Sequence, residues 1–420
     1  MNILVVGSGG RENAIVWKIR QSPRADQIYV APGNAGTAQI AQNVNINATD
    51  IEGLIAFAIE KKIDLVAVGP EGPLAAGLVD RFQEMDIPAF GPSKAAAEIE
   101  SSKVFSKYLM QKYHIPCAGS TAFTSYQEAS QYLKQQKVPV VVKADGLAAG
   151  KGVVVARTMD EAQEALRSFM QNKTLGNAGN RIIIEEFLDG REMSTFVFTD
   201  GNEVVPMVPA CDYKTVFDNG QGPNTGGMGS YSPPSFFTQS LAKTVHETVM
   251  MPTVKAMKEE NRPYKGVLYG GLMINNNSVK TLEFNARFGD PETQIVLPRL
   301  KTDLVDIMLA VAENKLDSIK IEWSNDASVA VVLASGGYPG NYKTGLPITG
   351  LDKVDKDIMV FHAGTKLDND GKVVTNGGRV LAVVALGKNV AEAREKVYNN
   401  IPLIHFEGCH FRKDIALIKD

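Results

Sequence analysis

Short β-branched runs alternate with amphipathic helical stretches through the first hundred residues. Ile3 to Val6, Ile28 to Val30 and Leu65 to Val68 are such runs, and a helical pattern from about Glu12 to Arg20 follows the first of them. Strands that alternate with helices are typical of a parallel sheet with helices on its faces. We therefore predict a parallel-sheet domain over residues 1–102, with a new unit beginning at the helical stretch that starts at Lys103.

The pattern changes further along the chain. Between residues 121 and 189, strands and helices surround a glycine-rich loop, which predicts a small α+β lobe. Beyond residue 190, strands follow one another directly, as Ser194 to Phe198 and Val204 to Val208 do across an Asp-Gly turn, so an antiparallel sheet is expected. The predicted class is a multidomain mixture of α/β and α+β units, with boundaries at 1–102, 103–323 and 324–420.

Composition excludes several classes of protein. A chain of 420 residues exceeds what one hydrophobic core organises. The 44 basic and 47 acidic residues leave a net charge of −3, so no global charge recruits nucleic acid or a membrane. The three cysteines show no C-x-x-C pair, and no apolar run approaches the length of a membrane span. A cytoplasmic protein with small-molecule substrates is expected.

A lysine- and glycine-rich stretch, Lys143 to Gly152, lies between two strand-like runs. Its spacing is wrong for a Walker loop, because the interval from Gly146 to Lys151 is one residue short and Gly152 stands where Ser or Thr would bind magnesium. A glycine hairpin between strands can still cover a triphosphate with its backbone N–H groups and lysines. An exposed hairpin with solvated lysines is the alternative.

Two later strands carry oxygen ligands. The run from Ile182 to Leu188 ends in acids and is followed by Glu192, an edge that could offer main-chain groups to adenine and a carboxylate to its ribose. Glu283 and Asn285 alternate with apolar residues, so they point to the same face of a strand. Two hard oxygen ligands at that spacing suit magnesium that also binds nucleotide phosphates. A solvated strand face is the alternative.

The first glycine loop, Gly7 to Glu12, follows a strand and opens a helix, where an anion such as a sugar phosphate could bind. A dinucleotide is less well supported, because Glu12 replaces the third glycine of the usual fingerprint and the second strand ends without a carboxylate. A tight turn that merely needs glycine is the third interpretation. Another long segment, Asp212 to Pro234, is rich in Gly, Asn and Pro and is predicted to be a functional or mobile loop.

Seven motifs extend nearly from end to end. They are Gly7 to Glu12, Ala31 to Thr37, Val68 to Ala75, Lys143 to Val153, Gly222 to Gly229, Glu283 to Glu292 and Thr375 to Val380. With them the chain resembles the ATP-grasp superfamily and, within it, the phosphoribosylamine–glycine ligase family. The Glu-x-Asn pair is general to the superfamily, whereas the Pro-Asn-Thr-Gly-Gly-Met-Gly loop is specific to this family.

The resemblance implies an ATP-grasp fold with a Rossmann-like N-terminal domain and a small C-terminal α+β domain. It also implies that ATP converts glycine to glycyl phosphate, which the amine of 5-phosphoribosylamine attacks, a step of purine synthesis. Such chemistry asks the protein mainly to position ligands and stabilise charge. A monomer or weak homodimer is expected.

Specific residues follow from the resemblance. Glu283 and Asn285 would hold Mg²⁺ or Mn²⁺, and Arg287, Lys214 and Asp212 would serve catalysis. The nucleotide would be bound by Lys103, Lys143, Gly146, Gly150, Lys151, Gly152, Glu185, Glu186, Phe187, Leu188 and Glu192. The substrates would be bound by Gly9, Gly10, Asn34, Glu71, Pro223, Asn224, Thr225, Gly226, Gly227, Asp290 and Glu292.

The chain also departs from the family's pattern. Asn13 stands where a His is usual, Arg191 replaces an acid, and Tyr213, Thr215 and Gly220 alter the segment before the specific loop. These changes leave the nucleotide and metal residues intact, so any effect is expected on substrate affinity. Alternatives are a carboxylating or formyl-transferring purine enzyme, a nicotinamide-dependent oxidoreductase and a non-catalytic nucleotide sensor.

Overall fold

The computed structural model describes residues 1–147, 152–276 and 278–417. Gly150 and Lys151, predicted to bind the nucleotide, lie outside the described residues. No helix within these ranges is both long and apolar enough to cross a membrane.

The N-terminal segment is a five-stranded parallel sheet in the order β3-β2-β1-β4-β5, as the alternating pattern predicts. Ile3 and Val5 of the first strand face one hydrophobic cluster, and Leu4 and Val6 face another, so both faces of the sheet are covered. Its elements are β1 Asn2–Gly7, α1 Gly10–Ile19, β2 Gln27–Pro32, β3 Gln42–Asn43, α2 Ile51–Glu60, β4 Leu65–Val68, α3 Glu71–Ala76, α4 Leu78–Gln83, β5 Ala89–Phe90 and α5 Lys94–Ser101.

The next segment forms the predicted small lobe. Its antiparallel sheet has the order β6-β9-β7-β8, and β7 and β8 are the two arms of the glycine-rich hairpin. A separate apolar core lies between this sheet and its helices. Helix α6 Lys103–Lys112 precedes the lobe, and its Leu109 and Met110 pack in the core shared with the N-terminal sheet. The elements of the lobe are β6 Ser120–Phe123, α7 Tyr126–Leu133, β7 Val140–Ala144, β8 Val153–Ala156, α8 Met159–Leu166 and β9 Ile182–Glu186.

A second antiparallel sheet, in the order β11-β10-β16-β17, forms the floor opposite the small lobe. Its long central strands pair from Arg191 to Thr199 against Gly266 to Ile274. The elements of this part are β10 Arg191–Thr199, β11 Val204–Pro206, β12 Cys211–Asp212, β13 Thr215–Phe217, β14 Gln221–Asn224, β15 Gly229–Ser232, α9 Gln239–Val245, α10 Met251–Glu259, β16 Gly266–Asn275, β17 Ser278–Asn285, α11 Thr293–Val296 and α12 Leu304–Ala312.

The C-terminal sheet is composite, with the order β12-β15-β18-β22-β19. Two of its strands therefore come from the segment between Asp212 and Pro234 that the sequence predicts to be one long loop, and that prediction is wrong. The strands there are too short for an alternating pattern, and β15 finds one of its partners far away in the sequence, since Gly229 pairs with Val331. The remaining elements are β18 Ala327–Ala334, β19 Ile358–His362, β20 Thr365–Leu367, β21 Val373–Thr375, β22 Arg379–Gly387 and α13 Val390–Asn400.

Aromatic contacts join the segments. The Phe90 ring at the end of the N-terminal sheet lies 6.4 Å from that of Phe198 and 6.0 Å from that of Phe288, both in the middle segment. Trp17 on α1 packs edge-on against Phe361 on β19 at 5.7 Å. The N-terminal sheet is therefore packed against both later parts. The exact domain boundaries at residues 102 and 323 remain predictions.

His362 ends β19 beneath the first glycine loop. Its backbone N–H donates to Asn13 Oδ1 at 2.7 Å, and its carbonyl accepts from Asn34 Nδ2 at 2.8 Å. The imidazole pairs with Thr365 Oγ1 at 3.1 Å. Burial lowers the pKa of His362 from 6.5 to about 4. The ring is thus neutral in the folded protein at neutral pH.

We predict that His362 makes the fold sensitive to acid. His362 takes up a proton near pH 6.5 in the unfolded chain, but only near pH 4 in the folded chain. The unfolded state binds more protons in that window, so stability falls as the pH drops through it, by about 3 kcal/mol from this residue. Urea unfolding at pH 7 and pH 4.5 should show a smaller acid-induced loss for His362→Gln than for the unmodified protein. Equal losses of unfolding free energy in the two proteins would contradict the role of His362 in acid sensitivity.

Candidate active site

One large cavity, of about 1150 Å³, opens between the small lobe, the floor sheet and the N-terminal sheet. Side chains of the C-terminal segment close its remaining side. Most residues predicted from the sequence to bind ligands line it: Glu71, Lys103, Lys143, Gly146, Gly152, Glu185, Glu186, Phe187, Leu188, Glu192, Asp212, Lys214, Asn224, Thr225, Gly226, Glu283, Asn285, Arg287, Asp290 and Glu292.

The lobe side of the cavity is a buried group of lysines around one carboxylate. Lys143 Nζ lies 2.9 Å from one oxygen of Glu185, and Lys107 Nζ lies 3.3 Å from the other. Lys107 was not predicted; it lies one helical turn after Lys103, which donates to the carbonyl of Gly146 at 3.1 Å. Burial lowers the pKa of Lys107 despite the attraction of Glu185. Three lysines against one carboxylate leave an excess of positive charge that suits phosphates.

The rim beside these lysines is formed by the end of β9. Glu186 accepts a hydrogen bond from the Gly119 N–H at 3.0 Å and pairs with Lys280 at 2.5 Å, so its side chain points away along the rim. Phe187 and Leu188 follow it along the cavity wall. Glu192, predicted to bind a ribose, forms an ion pair with Lys214 in this structure.

The floor carries the predicted metal ligands on β17. Glu283 faces Gly271 across the ladder, where a side chain would place its Cβ 3.4 Å from the Glu283 Cγ. Burial alone would raise the pKa of Glu283, but the surrounding positive charges, chiefly Lys214 and Lys143, lower it. The carboxylate is therefore held ionised, as a metal ligand must be.

Glu283 and Asn285 fit a divalent ion that takes its other ligands from elsewhere. Within the described residues, no group of three or more His, Cys, Asp or Glu could hold a metal alone. Mg²⁺ commonly keeps waters and substrate phosphates around one or two protein oxygens. The lysines that suit such phosphates reach this strand, since Lys143 Nζ donates to the carbonyl of Leu282, next to Glu283, at 3.3 Å.

Arg287 links the floor to the N-terminal sheet. Its guanidinium lies 3.0 Å from Glu100 and 3.3 Å from Glu71, and it donates to Asn285 Oδ1 at 3.1 Å. Burial opposes the charge of Arg287, but Glu100 and Glu71 outweigh that effect and raise its pKa. Glu100 was not predicted; it also accepts from the Ala286 N–H at 2.6 Å. The arginine is thus fixed and charged at the junction of two domains.

A buried acidic corner lies at the far end of the cavity. Asp212 Oδ1 has no hydrogen-bond partner in the described part of the chain. Burial raises the pKa of Asp212, and the neighbouring Glu292 raises it further. Glu292 accepts from Ser194 Oγ at 2.9 Å, and that hydroxyl lies 2.9 Å from the Tyr269 hydroxyl. Two buried carboxylates with one open acceptor are suited to a small cation such as an ammonium group.

Five predicted substrate residues do not line the cavity: Gly9, Gly10, Asn34, Pro223 and Gly227. The Gly9 N–H donates to Glu12 Oε2 at 2.5 Å, so the start of α1 already holds a carboxylate. A side chain at Gly7 would bring its Cβ within 2.5 Å of Glu12. The Glu12 carboxylate thus takes a backbone N–H that would bind a dinucleotide pyrophosphate, which counts against an oxidoreductase.

The positions that depart from the family pattern also lie away from the described cavity wall. Asn13 accepts from the His362 N–H, as described above. Thr215 is bound through its carbonyl and hydroxyl by Arg412, at 3.0 and 2.9 Å, and Arg412 lies 4.9 Å from the Tyr213 ring. Arg191 lies over the Phe236 ring. Asn13, Thr215, Tyr213 and Arg191 therefore make contacts within the protein.

The fold and the site together define an ATP-grasp protein, in which a small lobe carrying a glycine hairpin covers a floor strand with a Glu-x-Asn pair. Models of the phosphoribosylglycinamide synthetase N domain, ATP-grasp domain and C domain match residues 1–100, 101–293 and 328–418. The chain belongs to the phosphoribosylglycinamide synthetase family.

Similar proteins agree with this placement. A phosphoribosylamine–glycine ligase of Caldanaerobacter subterraneus subsp. tengcongensis is 51% identical over 416 residues, covering 99% of each chain. That of Escherichia coli strain K12 is 50% identical over 420 residues, covering 99% of this chain and 98% of the other. The crystal structure of the Thermotoga maritima ligase superposes with a TM-score of 0.87 at 33% identity, covering 99% of this chain and all of that one.

A more distant structure shares the fold alone. The biotin carboxylase domain of Hydrogenobacter thermophilus 2-oxoglutarate carboxylase, solved with MgADP and bicarbonate, superposes with a TM-score of 0.75 at 16% identity. The superposition covers 98% of this chain and 91% of that one. The three-part architecture is therefore shared well beyond the family.

We predict that Lys143→Ala and Glu283→Gln each lower turnover at least ~100-fold, the scale for losing one preorganised charge contact. Without its ammonium group, position 143 would no longer contact the phosphates, and a neutral amide in place of the Glu283 carboxylate would bind a divalent ion poorly. Steady-state ADP formation at saturating substrates measures the effect. Lys173→Ala, on the exposed far side of the lobe, serves as the control. Near-normal turnover of either test variant would remove that residue from the mechanism.

Proposed function

We propose that this chain joins glycine to 5-phosphoribosylamine at the expense of ATP, giving glycinamide ribonucleotide, ADP and phosphate. The observation that carries the proposal is the cavity itself. It places a lysine-rich wall, a carboxylate–amide pair, a fixed arginine and a buried acidic corner around one space. The family membership and the ligase names of relatives near 50% identity support the same activity.

The nucleotide would lie between the lobe and the floor. Lys103 and Lys143 face the space where the phosphates would lie, and the backbone from Glu186 to Leu188 borders the base. Glu192 now pairs with Lys214, so a ribose bound at Glu192 would have to displace that lysine. The freed ammonium group would lie beside the phosphates, because Lys214 also faces Glu283.

Glu283 and Asn285 would hold Mg²⁺ or Mn²⁺ against the phosphates. The ion would neutralise charge on the transferring phosphoryl group when bound. Asn285 Oδ1 is now occupied by Arg287, and the guanidinium has Glu71 and Glu100 as further partners that keep it in place when Asn285 turns to the ion.

Glycine would lie at the acidic corner. Its ammonium group would donate to the open oxygen of Asp212 and to Glu292, leaving its carboxylate toward Arg287 and the γ-phosphate. A carboxylate oxygen then forms a bond to the γ-phosphorus and ADP leaves. Water is a competing nucleophile for the resulting acyl phosphate, so the enclosed position of the corner protects it.

The amine substrate would approach from the N-terminal sheet. Glu71 lies there beside Arg287; burial would raise its pKa, but Arg287 and Arg11 outweigh that effect, lower the pKa and keep the carboxylate ionised. The amine nitrogen forms a bond to the carbonyl carbon, phosphate leaves, and the nitrogen loses a proton. Arg287 would stabilise the charge that develops on the phosphate during both steps.

The direct test supplies phosphoribosylamine, generated in situ, with glycine and Mg-ATP. We expect ADP and glycinamide ribonucleotide in equal amounts, and ADP formation that requires both the acid and the amine. A coupled spectrophotometric assay measures ADP, and mass spectrometry identifies the product.

Omitting each substrate in turn provides the controls for this assay. ADP formation with another carboxylic acid or amine, but not with this pair, would refute the substrate assignment and leave an ATP-dependent ligase. Carboxylation or formyl transfer would appear as a product of different mass. A cytoplasmic location and a monomeric or weakly dimeric state stay predictions.

A further inference from the structure

Two side chains from the C-terminal segment hold a single residue of the loop from Gly222 to Gly229, called here the specific loop. The Gly226 N–H donates to the Tyr338 hydroxyl at 3.0 Å. The Gly226 carbonyl accepts from Arg379 Nη1 at 2.6 Å. A side chain at Gly226 would place its Cβ 2.9 Å from the Arg379 Cζ, so the guanidinium lies directly against the glycine.

The same guanidinium also holds the turn that follows β17. Arg379 Nη1 donates to the Asp290 carbonyl at 2.9 Å, and Nη2 lies 3.3 Å from the Asp290 carboxylate. Burial opposes the charge of Arg379, but Asp290 and its neighbours outweigh that effect and raise its pKa. One arginine therefore ties two separate turns together, and both border the cavity.

These two turns border the acidic corner. Glu292 lies two residues after Asp290, and a Cβ at Gly227 would lie 2.6 Å from Asp212 Oδ1. The strand that begins the loop, β14, is exposed from Gln221 to Asn224, so it offers little packing to hold the loop in place. Besides Arg379 and Tyr338, Thr225 anchors the loop, since its N–H and hydroxyl donate to the Lys214 carbonyl at 2.7 and 2.8 Å.

We propose that Arg379 and Tyr338 are positioning residues that keep the specific loop closed over the glycine end of the cavity. They act through Gly226 and Asp290, not by touching a reacting atom. This inference rests on the proposed function, because the closed loop would hold the acyl phosphate for the amine and exclude water.

A loosened loop has a distinct chemical consequence. Water would form a bond to the carbonyl carbon of glycyl phosphate, phosphate would leave, and glycine would be regenerated with release of a proton. ATP would then be consumed without product. A general loss of folding would lower both ADP and product together and leave their ratio unchanged.

The test compares Tyr338→Phe, Arg379→Lys and Arg379→Met with the unmodified protein. ADP and product are measured in the same reaction. KM for glycine and KM for ATP are measured by varying each substrate in turn. We expect the ratio of ADP to product to rise above one and KM for glycine to rise roughly five-fold for the loss of one hydrogen bond. KM for ATP should stay within about two-fold, since the nucleotide wall is untouched. Both the ratio of ADP to product and KM for glycine should rise more in Arg379→Met, which loses the charge, than in Arg379→Lys, which keeps it.

Tyr338→Phe removes only the hydroxyl and keeps the packing of the ring. It therefore tests the proposal even if an Arg379 variant fails to fold. Tyr108→Phe, at a tyrosine 49% exposed and away from the cavity wall, is the matched control. A ratio that stays at one in Tyr338→Phe, with unchanged KM for glycine, would overturn the inference. If the unmodified protein forms no ADP with glycine and the amine, the proposed function itself fails.

Discussion

The ion pairs of Arg287 with Glu71 and Glu100 set the geometry on which the whole site depends. They join the end of the floor strand to the N-terminal sheet and the helix that follows it. Three partly buried charged groups in contact stabilise one another, so removal of one leaves another charge less compensated. Glu71 lies where the amine would approach, and Glu283 and Asn285 are the predicted metal ligands. The distance between these two parts of the cavity is therefore set by paired charges as well as by apolar packing.

The remaining charges of the cavity are arranged around that junction. Lysines gather on the lobe side about Glu185, and carboxylates gather at the opposite corner about Asp212. A triphosphate near the lysines and an ammonium group near the carboxylates would each contact groups of the opposite charge. This separation supports both parts of the proposed reaction, since the carboxylate of glycine must face the phosphate while its ammonium group is held away from it.

The parts of the fold that show a regular period can be predicted from the sequence. The alternating strands of the N-terminal sheet and the Glu283–Asn285 pair follow from such patterns and from the family motifs. Lys107 and Glu100 were missed because their roles depend on contacts made across the cavity, although Lys107 shares a helix face with Lys103. The strands within the predicted loop were missed because two-residue and four-residue strands have no period to detect. The domain boundaries and the individual site roles remain predictions.

The composite sheet has a consequence for the order in which the chain can assemble. Strand β12 pairs with β15 nearby in the sequence. Strand β15 needs β18 for its other edge, because Gly229 pairs with Val331, and β18 pairs in turn with β22. Such distant pairing forms late in folding. During synthesis the strands of the lobe and of the floor can therefore be complete while β15 still lacks its neighbour β18. The loop from Gly222 to Gly229, which leads into β15, is then the last part of the cavity wall to be fixed in place.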